Sequence, residues 1–292
     1  MSVGMEVRAD RVGTLGAEHE LTVTADRTRA YAAATNDPVP AHGDGRVAPP
    51  VFAVVPVWDV IIESATGIAS SEALPFAVHG EQDMVFHRPI VPGQHLRARG
   101  GPIGVHTKAS GTTVVTRIET RDADDALVNE QHVVTFFRGV GASESRGEPA
   151  PGHRFPDPAR ADEPTAAVTQ TFDDDQTFRY SEASGDLMPI HLDADFARSV
   201  GLPGIIIHGL CTMAFTSWAA VQELAEGDSS RIRRLAVRFS APVRPGESLT
   251  TRFTRLIGRD DDGAGGYGFE SISSSGATVI KDGLVVVGPA PG

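Results

Sequence analysis

Sulfur contributes almost nothing to the covalent framework of this chain: among 292 residues there is one cysteine, Cys211, which excludes an internal disulfide and a cysteine-built zinc site. Cys211 sits in an apolar run without a basic neighbour in sequence, so it reads as core packing, and a reducing cytoplasm is the expected setting. Basic residues are also in deficit. Lys and Arg number 26 against 38 Asp and Glu, a formal charge of -12, which argues against nucleic acid or an anionic membrane as a general partner. The apolar stretches are interrupted by Pro, Asp, Ser or Thr before the ~18 residues that a membrane span needs. The opening MSVGMEVRADRVGTLG has no apolar segment of the signal-peptide kind. A chain that stays in solution is expected.

The chain does have enough apolar material, 40% of residues, to bury a core in one large domain or two ordinary ones. The stretch from Gly139 to Asp162 is rich in Gly, Pro, Ser and charge and has no hydrophobic period, as a linker would. The two sides of it resemble each other. Tyr31-Ala-Ala-Ala-Thr-Asn-Asp37 aligns with Tyr180-Ser-Glu-Ala-Ser-Gly-Asp186, and further on Phe86-His-Arg-Pro-Ile-Val-Pro-Gly93 aligns with Phe239-Ser-Ala-Pro-Val-Arg-Pro-Gly246. Duplication of one unit explains both matches. The expected division is a first module at 1–140, a linker at 141–163 and a second module at 164–292.

Each half shows a short helical segment, a turn-rich stretch, a longer apolar segment and then runs of β-branched residues. In the second half the longer segment is 205–224, where Leu210, Met213, Ala214, Trp218, Val221 and Leu224 recur at helical spacing; strands are expected at 233–243, 248–258, 266–274 and 277–288. In the first half the candidate helix is 51–65, weakened by Pro56, with strands near 76–90, 95–107, 111–121 and 126–138. One long helix followed by antiparallel strands predicts an α+β class in which each sheet curls around its helix.

Chemistry concentrates in the window from Tyr180 to Cys211. Asp186 and His191 stand five positions apart across Pro189, and a turn there would set both side chains around one water, an arrangement suited to general acid/base work near neutral pH. The ordinary reading of the same residues is a helix cap and a turn histidine. His208-Gly209 opens the long helix, so the Gly209 amide belongs to the first turn that leaves donors unpaired at the positive end of the helix dipole, where it could bind a polarised carbonyl oxygen. His191, Asp193 and His208 also make up the two-imidazole, one-carboxylate ligand set of non-haem iron enzymes. Against that reading, Asp193-Ala-Asp-Phe-Ala looks like a helix start rather than a strand.

Ser184-Gly-Asp-Leu-Met-Pro-Ile-His-Leu-Asp193, followed by Ala197 and then Gly201-Leu-Pro-Gly-Ile-Ile-Ile-His-Gly209, resembles the MaoC-like dehydratases and (R)-specific enoyl-CoA hydratases, also called hydratase 2. The resemblance implies a hot-dog fold, and with the duplication a double hot-dog. It implies reversible hydration of a trans-2-enoyl thioester, with Asp186 and His191 as catalytic pair and Gly209, with His208 and Met188, as the oxyanion and substrate-binding residues. Met188 stands where the family usually has Asn, and a thioether replaces a hydrogen-bonding amide. No metal or redox cofactor is implied. The implied partner is an acyl thioester of coenzyme A or of an acyl-carrier protein, with Arg233, Arg234 and Arg238 as candidates for the coenzyme A phosphates. Thioester hydrolysis, or acyl-thioester binding without turnover, are the alternatives. In the first half Asp37 and His42 repeat the pair, but Pro50 falls where Gly209 would and has no N–H to offer, so this copy is expected to be degenerate and to serve acyl-chain binding. A homodimer is the expected assembly.

Overall fold

The computed structural model describes residues 4–154, 163–256 and 264–290. In chain order it begins with β1 (Glu6–Val7), β2 (His19–Thr22), α1 (Ala25–Ala34), α2 (Pro40–Gly43) and α3 (Trp58–Ile68). Then come β3 (Ala77–Phe86), β4 (His95–Lys108), β5 (Gly111–Arg121), β6 (Leu127–Arg138), β7 (Gly141–Ala142) and β8 (Arg146–Gly147). The later part holds β9 (Ala166–Thr171), α4 (Gln176–Ser184), α5 (Ala194–Ser199), α6 (Gly209–Leu224), β10 (Ile232–Phe239), β11 (Ser248–Arg255), β12 (Gly265–Ser273) and β13 (Thr278–Val287). In each half a run of helices is followed by a run of antiparallel strands, as the α+β expectation requires.

The chain forms two compact units: one from Met1–Leu21, Pro56–Met84 and His95–Gly152, the other from Thr22–Val55, Val85–Gln94 and His153–Gly292. In the first, β4, β5, β6 and β3 follow one another in the sheet, with β2 outside β4. The helix α3 packs on β4 and β5, where Ser64 and Thr116 share a buried 2.7 Å hydrogen bond. The apolar core at one end gathers Val7, Ile68, Val105, Val114 and Phe137.

The expected linker is partly structured: β7 pairs with β1 and β8 with β4, while its residues 155–162 lie outside the described residues. The candidate helix at 51–65 divides as well. Pro50–Val57 is a 3-10 segment containing Pro56, and regular α-helix begins at Trp58. Proline has no N–H for the α-helical ladder and crowds the preceding turn, so α geometry starts only after it. Taken together Pro50–Ile68 is 19 residues long and, by length and composition alone, apolar enough to cross a membrane, although Pro56, Asp59, Ser64 and Thr66 interrupt it as expected; 61% of an 18-residue stretch of it is buried within the protein.

In the second unit the sheet order is β10, β13, β12, β11, β9. The strand expected at 233–243 stops at Phe239, ahead of Pro242, and residues 257 and 258 of the strand expected at 248–258 lie outside the described residues. Helix α6 packs against this sheet and is buried from Leu210 through Val221, so its apolar character runs round the whole cylinder rather than along one stripe. Phe215 meets Phe172 at 4.4 Å between ring centroids, and Phe253 meets Phe269 at 5.3 Å.

Also in this unit the two copies of the repeated helix, α1 and α4, lie against each other. Tyr31 and Tyr180, equivalent by the repeat, join their hydroxyls at 3.2 Å in a fully buried pair. Gln176 Nε2 donates to the Ala34 carbonyl, and Trp218 Nε1 on α6 donates to the Thr35 carbonyl at 3.0 Å. The last turn of α1 therefore finds hydrogen-bond donors on α4 and α6 for carbonyls that a helix end leaves unpaired.

Candidate functional site

Between α4 and α6 the chain makes an excursion whose turns are set by short-range chemistry. Helix α4 ends at Gly185 in the left-handed region, φ 85°, which a side chain would resist and which turns Asp186 out of the helix. Pro189 opens a single 3-10 turn that presents His191. Asp193 then caps α5, its carboxylate accepting from the Asp195 and Phe196 amides at 2.8 and 3.0 Å. After Gly201 and Gly204 the chain returns and enters α6 through His208 and Gly209.

The excursion brings Asp186, His191 and His208 together, all buried, at 6%, 7% and 1% exposure. A carboxylate oxygen and one ring nitrogen from each histidine lie within 4.8 Å of one another. Asp186 and His191 form no direct bond. The Asp186 carboxylate accepts from the Met188 amide at 3.1 Å, and His191 Nδ1 donates to the Ile206 carbonyl at 2.8 Å. The donor assignment follows because a carbonyl only accepts, so in the neutral ring the proton sits on Nδ1 and the Nε2 lone pair is free. A separation below 4.8 Å without contact is the span that one water closes with two hydrogen bonds.

Burial also sets the protonation states. Desolvation raises the Asp186 carboxyl to about 6, opposed by the Met188 hydrogen bond, and lowers the His191 imidazole to about 4, opposed by its bond to Ile206. Near neutral pH both groups are therefore proton acceptors. The Gly209 amide, first in the 16-residue helix α6, donates in none of the hydrogen bonds among the described residues. A Cβ on Gly209 would meet the Phe239 ring at 3.3 Å, so the absence of a side chain there keeps backbone and ring in close approach.

His208 stacks on His191 with centroids 3.7 Å apart and planes at 23°. The lone pairs of two nearly parallel imidazoles lie in their ring planes and do not converge on one ion, so the cluster does not fit a metal. The iron-type ligand set fails further at Asp193, whose carboxylate is occupied in capping α5. Met188 is 45% exposed, with its amide rather than its side chain turned to the carboxylate. Of the three arginines considered for phosphates, Arg233 is exposed and shares a small pocket with Arg88, Ser229 and Ser230, whereas Arg238 lies 3.7 Å from Asp282.

The first-half copy, in the same compact unit, is built differently. Asp37 Oδ2 and His42 Nδ1 are in direct contact at 2.7 Å, with side chains 1% and 0% exposed, and no gap for a water remains between those two atoms. Pro50 opens the 3-10 segment at the place where α6 has Gly209. The direct Asp37–His42 bond and the ring-on-ring placement of His208 were not legible from spacing, because both depend on how separate turns meet in space.

Residues 157–263 match the MaoC like domain, and residues 42–139 match the MFE-2 hydratase 2 N-terminal domain. The chain is 33% identical over 246 residues to 3-hydroxyacyl-thioester dehydratase Y of Mycobacterium tuberculosis, covering 80% of this chain and 81% of that protein. It is 32% identical over 207 residues to the peroxisomal multifunctional enzyme type 2 of Drosophila melanogaster, a match that takes in 68% of this chain but 34% of that longer protein. Among solved structures, a MaoC-like dehydratase from Phytophthora capsici superposes with a TM-score of 0.85 at 24% identity, over 97% of this chain and 98% of that one. A Mycobacterium tuberculosis protein described as a double hot-dog superposes with a TM-score of 0.61 at 16% identity, over 94% and 95%.

Two outcomes follow from this geometry. A carboxyl whose pKa is raised on folding contributes stability below its unfolded value, near 4, and loses it as pH climbs through about 6, so ionised Asp186 costs the native state free energy at neutral pH. Asp186→Asn should therefore raise stability at pH 7.5 by about 1 to 3 kcal/mol, and the gain should vanish near pH 4 when thermal unfolding is repeated there. Asp193→Asn, which keeps a side-chain cap, should leave both Tm and activity close to wild type; loss of activity with an intact fold would restore the ligand role for Asp193.

Proposed function

The chain belongs to the MaoC-like dehydratase and hydratase 2 family, with the double hot-dog fold, and on that footing we propose that it reversibly adds water to trans-2-enoyl-CoA, giving (R)-3-hydroxyacyl-CoA. The observation that carries this reading is the pairing of two buried, unprotonated acceptors, Asp186 and His191, held one water apart. Addition to the double bond needs a group that takes a proton from the water and returns it to the α-carbon, and this pair can do both; hydrolysis would instead deliver that proton to the leaving thiolate.

In the hydration direction the water donates one hydrogen bond to the Asp186 carboxylate and one to His191 Nε2. Its oxygen forms a bond to the β-carbon while one proton passes to the protein, and negative charge moves from the double bond to the thioester oxygen. The Gly209 amide meets that charge, with the positive end of α6 behind it; single donors of this kind are worth roughly 3 kcal/mol. The enolate then collapses and the α-carbon takes the proton back on the same face, so that one water is consumed and the protein is restored. Asp186, with the higher proton affinity of the two, is the base that carries the proton, while His191, anchored through Nδ1 to Ile206, orients the water. No metal or redox cofactor enters these steps.

The same reading gives the first-half copy a supporting part. Its Asp37 and His42 are bonded directly to each other, and Pro50 supplies no amide, so we assign the 1–140 module to acyl-chain binding and the 164–292 module to chemistry. The phosphates of coenzyme A are assigned to Arg233, Arg234 and Arg238, of which Arg233 is the most exposed. The assembly is assigned as a homodimer.

With crotonyl-CoA the expected result is loss of the conjugated-enone absorbance without release of free thiol; thiol release would make the chain a thioesterase, and saturable binding with neither change would make it a binding subunit. Asp186→Asn and His191→Ala should each lower kcat by at least ~100-fold, the scale of a lost general acid or base, while Asp37→Asn and His42→Ala should stay within about threefold of wild type. An inactive but folded Asp37→Asn enzyme would move catalysis to both copies. Because the base must be ionised, kcat/KM for hydration should rise with pH through about 6 and then level, and a rate flat from pH 5 to 8 would remove Asp186 from that role.

A further inference from the structure

His208 is the member of the buried cluster to which the reaction above gives no task. It is the most buried of the three, 1% exposed. Yet Nε2 lies 3.2 Å from the main-chain oxygen of Asp186 and 3.2 Å from Ser181 Oγ on α4. One face stacks on His191 at 3.7 Å, and the Tyr180 ring stands 4.8 Å away. The residue that follows is Gly209. A single imidazole thus touches the residue of the carboxylate and the ring of the histidine, and is peptide-bonded to the donor of the oxyanion amide.

Its tautomer is determined by its neighbours. With the proton on Nε2, the ring donates to the Asp186 carbonyl, with Ser181 Oγ also in range. With the proton on Nδ1, a buried N–H would have no acceptor among the described residues, and the Nε2 lone pair would face the lone pairs of a carbonyl. Burial and the neighbouring His191 hold the imidazole down to about 2, so it stays neutral and keeps this one donor through the working pH range.

We propose that His208 is a positioning residue: its Nε2–H ties the main chain at Asp186 to the start of α6, and so sets the carboxylate and His191 at a working distance from the Gly209 amide. The inference rests on the hydratase reading of Asp186, His191 and Gly209. Without the tie, the bonds that remain at Asp186 lie within its own turn, from its amide to Ser184 Oγ and from the Met188 amide to its carboxylate, and a displacement of about 1 Å among reacting groups costs on the order of 100-fold in rate. The same loosening admits water to Asp186. The other titratable groups packed on that carboxylate are Tyr180 from α4, His191 from the 3-10 turn and His208 from α6. Burial keeps all three uncharged at neutral pH, so hydration of the carboxylate is what would change its titration.

The test uses two substitutions in the full chain. His208→Phe keeps a ring for the stack and removes the donor; His208→Gln removes the ring and keeps an amide donor near the Nε2 position. His208→Phe should lower kcat at least ~10-fold with KM within about threefold, and should move the acid limb of kcat/KM from about 6 toward the ordinary carboxylate range, while His208→Gln recovers most of both. A Phe variant with wild-type kcat and acid limb, or a Gln variant as slow as the Phe variant, would overturn the proposal. Nitrogen-15 NMR of histidine-labelled wild type gives a readout that needs no variant to fold: a neutral His208 with its proton on Nε2 from pH 5 to 8 is required, and a proton on Nδ1 would overturn it. Asp186→Asn separates the two levels of the argument. If it is inactive while His208→Phe is normal, the positioning role alone falls; if it is active, the hydratase reading falls, and the tautomer measurement still tests the tie.

Discussion

A carboxylate buried without a cation is the constraint on which the rest of this site depends. Among the described residues no arginine or lysine pairs with Asp186; a single backbone amide offsets a small part of the cost of its charge. Such a group survives only if its surroundings prevent both collapse onto a neighbour and opening to solvent. The turn at Gly185, the 3-10 turn at Pro189 and the capped helix α5 are short, locally determined structures that meet this requirement. His191 is kept from closing the gap because its own donor is committed to Ile206. The strain is thus electrostatic rather than conformational, and it lies at the position where the proposed reaction would have a water held and deprotonated.

The first-half pair shows what the same residue types do when that constraint is relaxed. Asp37 and His42 fall into direct contact, 2.7 Å between Oδ2 and Nδ1, while His42 Nε2 stays buried without a hydrogen-bond partner among the described residues. The two Asp–His pairs thus differ by whether the histidine Nδ1 is bonded to another partner or to the aspartate. That partner is a main-chain carbonyl, Ile206, contributed by the segment between α5 and α6, and the corresponding stretch after His42 is much shorter.

Much of this was legible in the sequence, and the reasons are physical. Strand positions in both halves follow from alternation and turn residues, and the start of α6 follows from an apolar run after His208-Gly209. The Asp186 and His191 window could be read because its chemistry lies within a dozen residues. What stayed out of reach depended on distant parts of the chain. Spacing could not show that Tyr31 would meet its own repeat equivalent Tyr180, or that His208 would stack on His191. The 3-10 geometry of Pro50–Val57 was partly visible in Pro56, but periodicity alone could not tell a tight turn from an α-helix. The pairings of β7 and β8 lie in a stretch whose composition reads as a linker, because two-residue strands leave no period to detect.

The second compact unit takes one of its pieces, Thr22–Val55, from near the beginning of the chain and another, His153–Gly292, from the end. During synthesis this has a definite order. The early piece leaves the ribosome before its partners exist and waits while 87 residues of the other unit, 56–84 and 95–152, are made, since Tyr180 lies 149 residues after Tyr31. At a few to some twenty residues per second that wait lasts several seconds or more, long enough for exposed apolar side chains to need protection from association. The core of this unit can therefore close only after the chain has passed His153, however stable the finished fold is.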